Sequence, residues 1–290
     1  MTRRSRVLAG WLLSLPALVS AQQAPMPEIF LLPPSVWSAG LGGAAAAMIG
    51  YAGSIFANPA GIAPIRILSL EGTGARYDSV STFFSGATAF RAGRTNIGAG
   101  LRYLSYDDGQ PLRDNVEGQA AFSLRLKGVA WGLGAGYVSV EDSAGEVSRA
   151  LTAGGALTVY FFEIAALGLS ARNLGDWSLS GNALELPDEV RLGFSLNLID
   201  TYSNGRLLAT IERVWFGGDG ETVFGVEGGG VIKRVGIVLR AGVAGRRPAS
   251  PYSPGTLGGS LVLGRAALDY AYLARHEHAP LHLFGLRWTP

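Results

Sequence analysis

From Ile65 to Trp288 the chain is a succession of short segments in which large apolar residues alternate with small or charged ones. A period of two puts successive side chains on opposite faces of an extended backbone, so each segment reads as a β-strand with one apolar face. The segments are Ile65–Tyr77, Thr82–Ala92, Thr95–Tyr106, Gly118–Lys127, Val129–Val140, Val147–Tyr160 and Glu163–Asn173. They continue with Glu189–Ile199, Gly205–Phe216, Thr222–Ile232, Val235–Arg246, Thr256–Leu263, Ala266–Arg275 and Leu281–Trp288. Each is about 9–13 residues, the length of a tilted strand that crosses a bilayer.

The links between segments alternate in length. Those from even to odd segments are tight, at Gly93-Arg94, Gly128, Phe161-Phe162, Lys233-Arg234 and Gly264-Arg265, with Asp200–Asn204 a little longer. Those from odd to even segments are longer and rich in turn residues: Asp107–Glu117, Glu141–Glu146, Leu174–Asp188, Gly217–Glu221 and Arg247–Gly255. Outer-membrane barrels have this asymmetry, with short periplasmic turns and long external loops, and an even strand number. The faces agree. Val190, Leu192, Phe194, Leu196 and Leu198 oppose Arg191, Gly193, Ser195 and Asn197, and Ile237, Leu239, Ala241 and Val243 oppose Arg240 and Gly242. The expected fold is all-β: a transmembrane antiparallel β-barrel of about fourteen strands, apolar towards outer-membrane lipid and polar towards its lumen.

Arg3, Arg4 and Arg6, the apolar run Val7–Val19 and the small residues Ser20-Ala21 form the three regions of a secretory signal peptide. Residues 1–21 are therefore expected to be removed. Without the three leader arginines the chain has 21 basic against 22 acidic residues and no basic block, which argues against a nucleic-acid partner. There is no cysteine, so no disulfide holds this exported chain. A closed barrel meets the remaining demand, since it pairs all its backbone polar groups internally.

Pro33–Pro64 carries no charge and is rich in Ala, Gly and Ser. It is long enough to be a membrane helix, but Gly40, Gly42, Gly43, Gly50 and Gly53 disfavour one. The better expectation is a hatch over residues 22–64 that enters the lumen, followed by the barrel over 65–290.

Several short runs resemble the PorV/PorQ family, itself similar to the wider FadL-type transporters. They are Ser38-Ala39-Gly40-Leu41-Gly42-Gly43-Ala44, Phe56-Ala57-Asn58-Pro59-Ala60-Gly61-Ile62-Ala63, Ala171-Arg172-Asn173-Leu174-Gly175, Leu186–Gly193, Phe224–Glu227, Leu239–Gly242 and Ala267–Tyr272. The resemblance implies a fourteen-stranded barrel with an N-terminal hatch. PorV-type members imply binding of the C-terminal domains of secreted proteins; FadL-type members imply passage of hydrophobic small molecules. The chain departs from the family where acidic residues usually precede the Asn-Pro-Ala element and Ile49-Gly50-Tyr51-Ala52-Gly53 stands instead. It also ends Trp288-Thr289-Pro290, which displaces the terminal aromatic signal read by the barrel-assembly machinery by two residues.

The candidate site residues are Asn58, Pro59 and Gly61 in the hatch. To them belong the inward charges Arg102, Arg125, Arg172, Arg191, Glu212, Glu227, Arg240, Asp269 and Arg287. Charge in a lumen is expensive unless paired, so mixed signs point to an ion-pair network that holds the hatch. Such charges also serve simply to fill and solvate a lumen, and Asn58-Pro59 also suits a plain turn. No catalytic constellation, metal site or cofactor motif is visible. His276, His278 and His282 cluster at the last hairpin with only Glu277 nearby, and Gly228-Gly229-Gly230 lies within a strand rather than at a phosphate-binding turn. The expected role is transport or protein secretion rather than catalysis. FadL-like uptake of hydrophobic molecules is the alternative to cargo binding; a barrel-embedded lipid hydrolase, a purely structural adhesin-like barrel and an unrelated soluble β protein are the others.

Overall fold

A computed structural model describes residues 27–106, 115–141, 145–162, 164–179, 184, 186–201, 205–217, 219–245, 252–275 and 279–290. The expected signal peptide and the histidines 276 and 278 lie outside them. Fourteen strands form one closed sheet in which each pairs antiparallel with its neighbours in sequence, and the first pairs with the last. They are β1 Leu68–Arg76, β2 Ser81–Ala92, β3 Thr95–Tyr106, β4 Asn115–Leu126, β5 Val129–Glu141, β6 Val147–Phe161 and β7 Ala165–Ser178. The circuit is completed by β8 Glu189–Thr201, β9 Gly205–Phe216, β10 Asp219–Ile232, β11 Val235–Ala244, β12 Tyr252–Leu263, β13 Ala266–Arg275 and β14 Leu281–Trp288. No helix among the described residues is long and apolar enough to cross a membrane.

Four of the tight links are two-residue hairpins, and the one expected at Phe161-Phe162 is three residues long, between Phe161 and Ala165. Gly93, Lys127, Lys233 and Gly264 each open one of the four with φ between 54° and 65°. This is the positive φ that the first position of a type II′ turn needs, and the turn's twist matches that of the flanking strands. Glycine adopts it freely, whereas at Lys127 and Lys233 it costs about 1 kcal/mol.

Five boundaries differ from expectation by three or more residues; among them β4 starts at Asn115 rather than Gly118, and β12 at Tyr252 rather than Thr256. β7 runs past Asn173 to Ser178, because Asn173 and Gly175 take positive φ and absorb two register shifts against β6. That is how bulges let a strand continue while bending. β10 starts at Asp219, which reduces the expected Gly217–Glu221 loop to a tight link. β1 starts at Leu68, and Ile65 is buried inside the barrel rather than paired in the sheet.

Inside and outside separate by parity. Leu239 is 68% exposed and its neighbour Arg240 only 5%. Phe194 faces outward as expected, and so do Trp131, Leu133, Phe284, Leu286 and Trp288 on other strands. An apolar outer belt around a closed sheet is the solution for a chain in lipid, where no backbone group can turn to water.

The lumen is filled by the segment Glu28–Ile65. It contains the short helices α1 Glu28–Leu31 and α2 Val36–Gly40, and two single 3-10 turns, Ala52–Phe56 and Pro59–Ile62. Its apolar side chains are the core of the molecule. Leu32, Val36 and Ala39 pack on Phe83, Leu104, Leu273, Leu281 and Leu283. Trp37, Leu41 and Met48 pack on Val214, Phe216 and Val223. Ile55, Phe56 and Ile62 pack on Ala89 and Ala121.

Candidate functional site: the hatch and its lumenal seat

A segment with so little regular structure leaves many backbone N–H and C=O groups unpaired, and buried ones must find partners. The wall supplies them. Glu212 Oε2 accepts from the N–H groups of Ala45 and Ala46, each at 2.7 Å. Glu71 Oε2 accepts from Gly53 N–H at 2.9 Å, Ser69 Oγ from Ala52 N–H at 3.2 Å and Thr256 Oγ1 from Gly42 N–H at 2.9 Å. In the other direction Arg102 donates to the carbonyls of Ile29 and Leu32, both at 2.5 Å, and Arg172 donates to Phe56 O. Arg191 donates to Gly43 O at 3.2 Å and Ser195 to Ala47 O at 3.1 Å.

Steric fit adds to this. At Gly132 a Cβ would strike the backbone of Pro59 and Ala60, and at Gly242 the backbone of Leu41 and Gly42. Inward glycine is thus what lets the hatch backbone lie against the sheet.

The lumenal charges form two arcs. The first alternates sign from β3 to β9: Arg102–Glu117 at 2.7 Å, Glu117–Arg172 at 3.5 Å, Arg172–Glu189 at 2.9 Å, Glu189–Arg191 at 2.5 Å and Arg191–Glu212 at 2.7 Å. The second joins Glu227 to Arg240 at 2.8 Å, Arg240 to Asp269 at 3.6 Å and Asp269 to Arg287 at 2.5 Å. Ser260 bridges Arg240 and Asp269. Every carboxylate in these arcs has a guanidinium partner, which offsets its desolvation. Eight of the nine expected lumenal charges therefore meet in a network.

Arg125 does not join it. It is inward by parity but stands exposed at the short-turn rim, stacked 4.5 Å over the Tyr160 ring, with its Nε on Lys127 O at 3.2 Å. Three buried acids that complete the seat escaped the sequence reading: Glu71, Glu117 and Glu189. Glu117 and Glu189 stood at segment ends, one just outside the strand assigned to it. Inward parity with Thr73, Gln119 and Arg191 was the signal that marks them.

The hatch residues come together around Asn58. Its Oδ1 accepts from Ala60 N–H at 2.9 Å and caps the turn begun by Pro59. Its Nδ2 donates to Ala46 O within the hatch and to Thr158 Oγ1 of the wall at 3.0 Å. Gly61 lies beneath, where a Cβ would meet Ser54 Oγ at 2.9 Å, and its carbonyl accepts from Gly50 N–H at 2.8 Å. Asn58 is thus more than a turn residue: it ties two hatch loops and the wall at one point.

Negative charge at the hatch, which the resemblance would place within it, comes here from the wall through Glu212. Trp37 donates to Glu227 and meets the Tyr51 ring edge-on at 4.3 Å. Burial pushes the Tyr51 phenol far above its ordinary range, so it stays neutral. A cavity of about 100 Å³ remains at the long-loop end, between Leu32, Pro33, Gly43 and the wall residues Arg191, Phe216 and Thr256. His282 lies on the outer wall, 2.8 Å from the Tyr270 hydroxyl. No group of three or more metal-ligating side chains is present among the described residues.

No protein-family model matches the chain, and neither does any curated protein sequence. Solved structures do match in fold. The toluene transporter TodX of Pseudomonas putida superimposes with a TM-score of 0.60 at 12% identity, covering 88% of this chain and 97% of that one. The toluene transporter TbuX of Ralstonia pickettii gives 0.57 at 12% identity, with 89% and 98% covered. A FadL homologue of Pseudomonas aeruginosa gives 0.51 at 12% identity, with 88% and 98% covered. These structures agree in fold with the FadL-like side of the resemblance and give no support to PorV/PorQ membership. The chain shares the fold of these two toluene transporters and this FadL homologue.

Proposed function

We propose that this chain is an outer-membrane channel for hydrophobic small molecules, closed at rest by the segment Glu28–Ile65. The observation that carries the reading is that the hatch can leave without breaking an ion pair. Pro33–Pro64 holds no charge, and every ion pair described in the lumen joins wall to wall. Departure exchanges neutral and charge-assisted hydrogen bonds for water and strands no buried charge. It also bares the apolar wall patch of Phe83, Leu104, Leu273, Leu281 and Leu283, a surface suited to hydrophobic passengers. The likeness in fold to two toluene transporters and a FadL homologue supports this choice over cargo binding in secretion.

The test is uptake of a radiolabelled monoaromatic hydrocarbon by diderm cells with and without the protein in their outer membrane. Faster initial uptake with the protein supports the reading; equal uptake contradicts it. Secreted proteins sharing one C-terminal domain that co-purify with the barrel would return the assignment to the PorV-type role.

A further inference from the structure

The two rims of the barrel differ in charge. Of 22 acidic residues only Glu163 and Asp200 fall within three residues of the short links that run from even to odd strands. Arg206, Lys233, Arg234 and Arg265 stand at such links, and five more cations gather where the rim passes from β1 to β5. Arg66, Arg91, Arg94, Arg125 and Lys127 line one cavity of about 340 Å³, roofed by Ala63 and Pro64 of the hatch and containing no acidic side chain.

The arginines are set for a ligand rather than for one another. Arg91 Nε donates to Gly93 O at 3.0 Å and Arg125 Nε to Lys127 O at 3.2 Å. Each thus fixes its stem on its own turn and keeps its terminal nitrogens without a protein partner among the described residues. The Tyr160 ring holds the Arg125 guanidinium from below at 4.5 Å. The Tyr160 hydroxyl is itself buried without a partner, in an adjoining cavity of about 190 Å³ that shares Arg125 and Pro64. Like charges confined this way repel, and an anion relieves them.

We propose that this short-turn mouth is a binding site for a phosphate group, held by Arg66, Arg91, Arg94, Arg125 and Lys127. Guanidinium forks match phosphate oxygens bidentately. Inorganic phosphate carries about −1.5 to −2 charges at neutral pH and a diester headgroup one, and both present at least two non-bridging oxygens to the forks. Free phosphate and a phospholipid headgroup share this chemistry.

The test titrates inorganic phosphate into the purified full chain in neutral detergent, by calorimetry in a phosphate-free buffer. A second arm places the protein in nanodiscs of phosphatidylcholine with or without phosphatidylglycerol and follows the phosphorus resonance. The double variant Arg91→Gln/Arg125→Gln should weaken binding by about tenfold or more, through lost charge-assisted hydrogen bonds. Lys233→Gln/Arg234→Gln, on the far side of the rim, should change it by less than about twofold. Thermal unfolding of both variants checks that the barrel is intact. Binding of inorganic phosphate with this pattern supports a soluble phosphate ligand. Broadening by phosphatidylglycerol alone, lost in the first variant, assigns the site to a headgroup. The proposal is overturned if neither probe binds, or if the two double variants weaken binding equally and so report only a diffuse field.

Discussion

Arg191 of β8 and Glu212 of β9 pair diagonally at 2.7 Å, and the carboxylate that receives this guanidinium on one oxygen holds the hatch on the other, through Ala45 and Ala46. Glu212 thereby couples the ion-pair network to the gate. Glu212→Gln should keep the volume while losing the charge that strengthens all three bonds. Each charge-assisted bond is worth about 1.5–3 kcal/mol, so the barrel should unfold at lower denaturant and conduct small ions through a loosened lumen. Urea unfolding and planar-bilayer conductance measure the two effects. An unchanged conductance would mean that this carboxylate does not hold the hatch.

Asn58→Ala removes the cap on Ala60 together with the ties to Ala46 and Thr158. The expected cost is about 1–3 kcal/mol, confined to the hatch. Far-UV circular dichroism should keep its β-sheet signal while limited proteolysis cuts within Pro33–Pro64 faster than in the parent.

Gly132→Val forces a side chain into the backbone of Pro59 and Ala60, whereas Gly72→Val, in a strand that has nothing within 4 Å of the added Cβ, meets open space. Both substitutions raise strand propensity. The first should cost about 1–3 kcal/mol by overpacking and open the lumen; the second should do neither. Equal conductance in the two variants would contradict the seat described for the hatch.

Arg102 and Arg125 were equal candidates by parity, and the structure separates them. Arg102 is 1% exposed and pairs with Glu117 while holding two hatch carbonyls; Arg125 is exposed at the rim. Arg102→Gln should destabilise by about 3–5 kcal/mol, as loss of one partner of a buried pair does. Arg125→Gln should stay within about 0.5 kcal/mol of the parent, as exposed substitutions do. Comparison of the two unfolding midpoints checks this.

These contrasts show what the residues of this chain disclosed in advance. Strand number, strand order and facing were legible because alternation and link length are local signals, and a barrel repeats them around its circuit. The tight turns were legible from Gly93, Gly264 and the dipeptide Lys233-Arg234. What stayed hidden depends on depth along a strand. Parity says that Arg125 and Arg102 both point inward, but only the register and the path of the hatch decide which is buried. Glu117 was lost to a boundary error of a few residues, and β7 ran on past Asn173 because its bulge residues read as a turn. The ties of Asn58 to Ala46 and Thr158 join residues 12 and 100 positions apart, a separation that no local pattern encodes.

The central claim, that Glu28–Ile65 is the gate, is tested most directly by locking it. A Cβ built on Gly193 would lie 3.1 Å from the Ala46 Cβ, so the two positions need to part by only about 0.5 Å to take disulfide spacing, and the chain has no cysteine of its own. The measurement is hydrocarbon uptake by cells carrying Ala46→Cys/Gly193→Cys, oxidised and then reduced. The account predicts uptake at the level of protein-free cells when the pair is oxidised and recovery to the parent rate after reduction. Equal uptake in both states, with the disulfide confirmed by mass spectrometry, would contradict it.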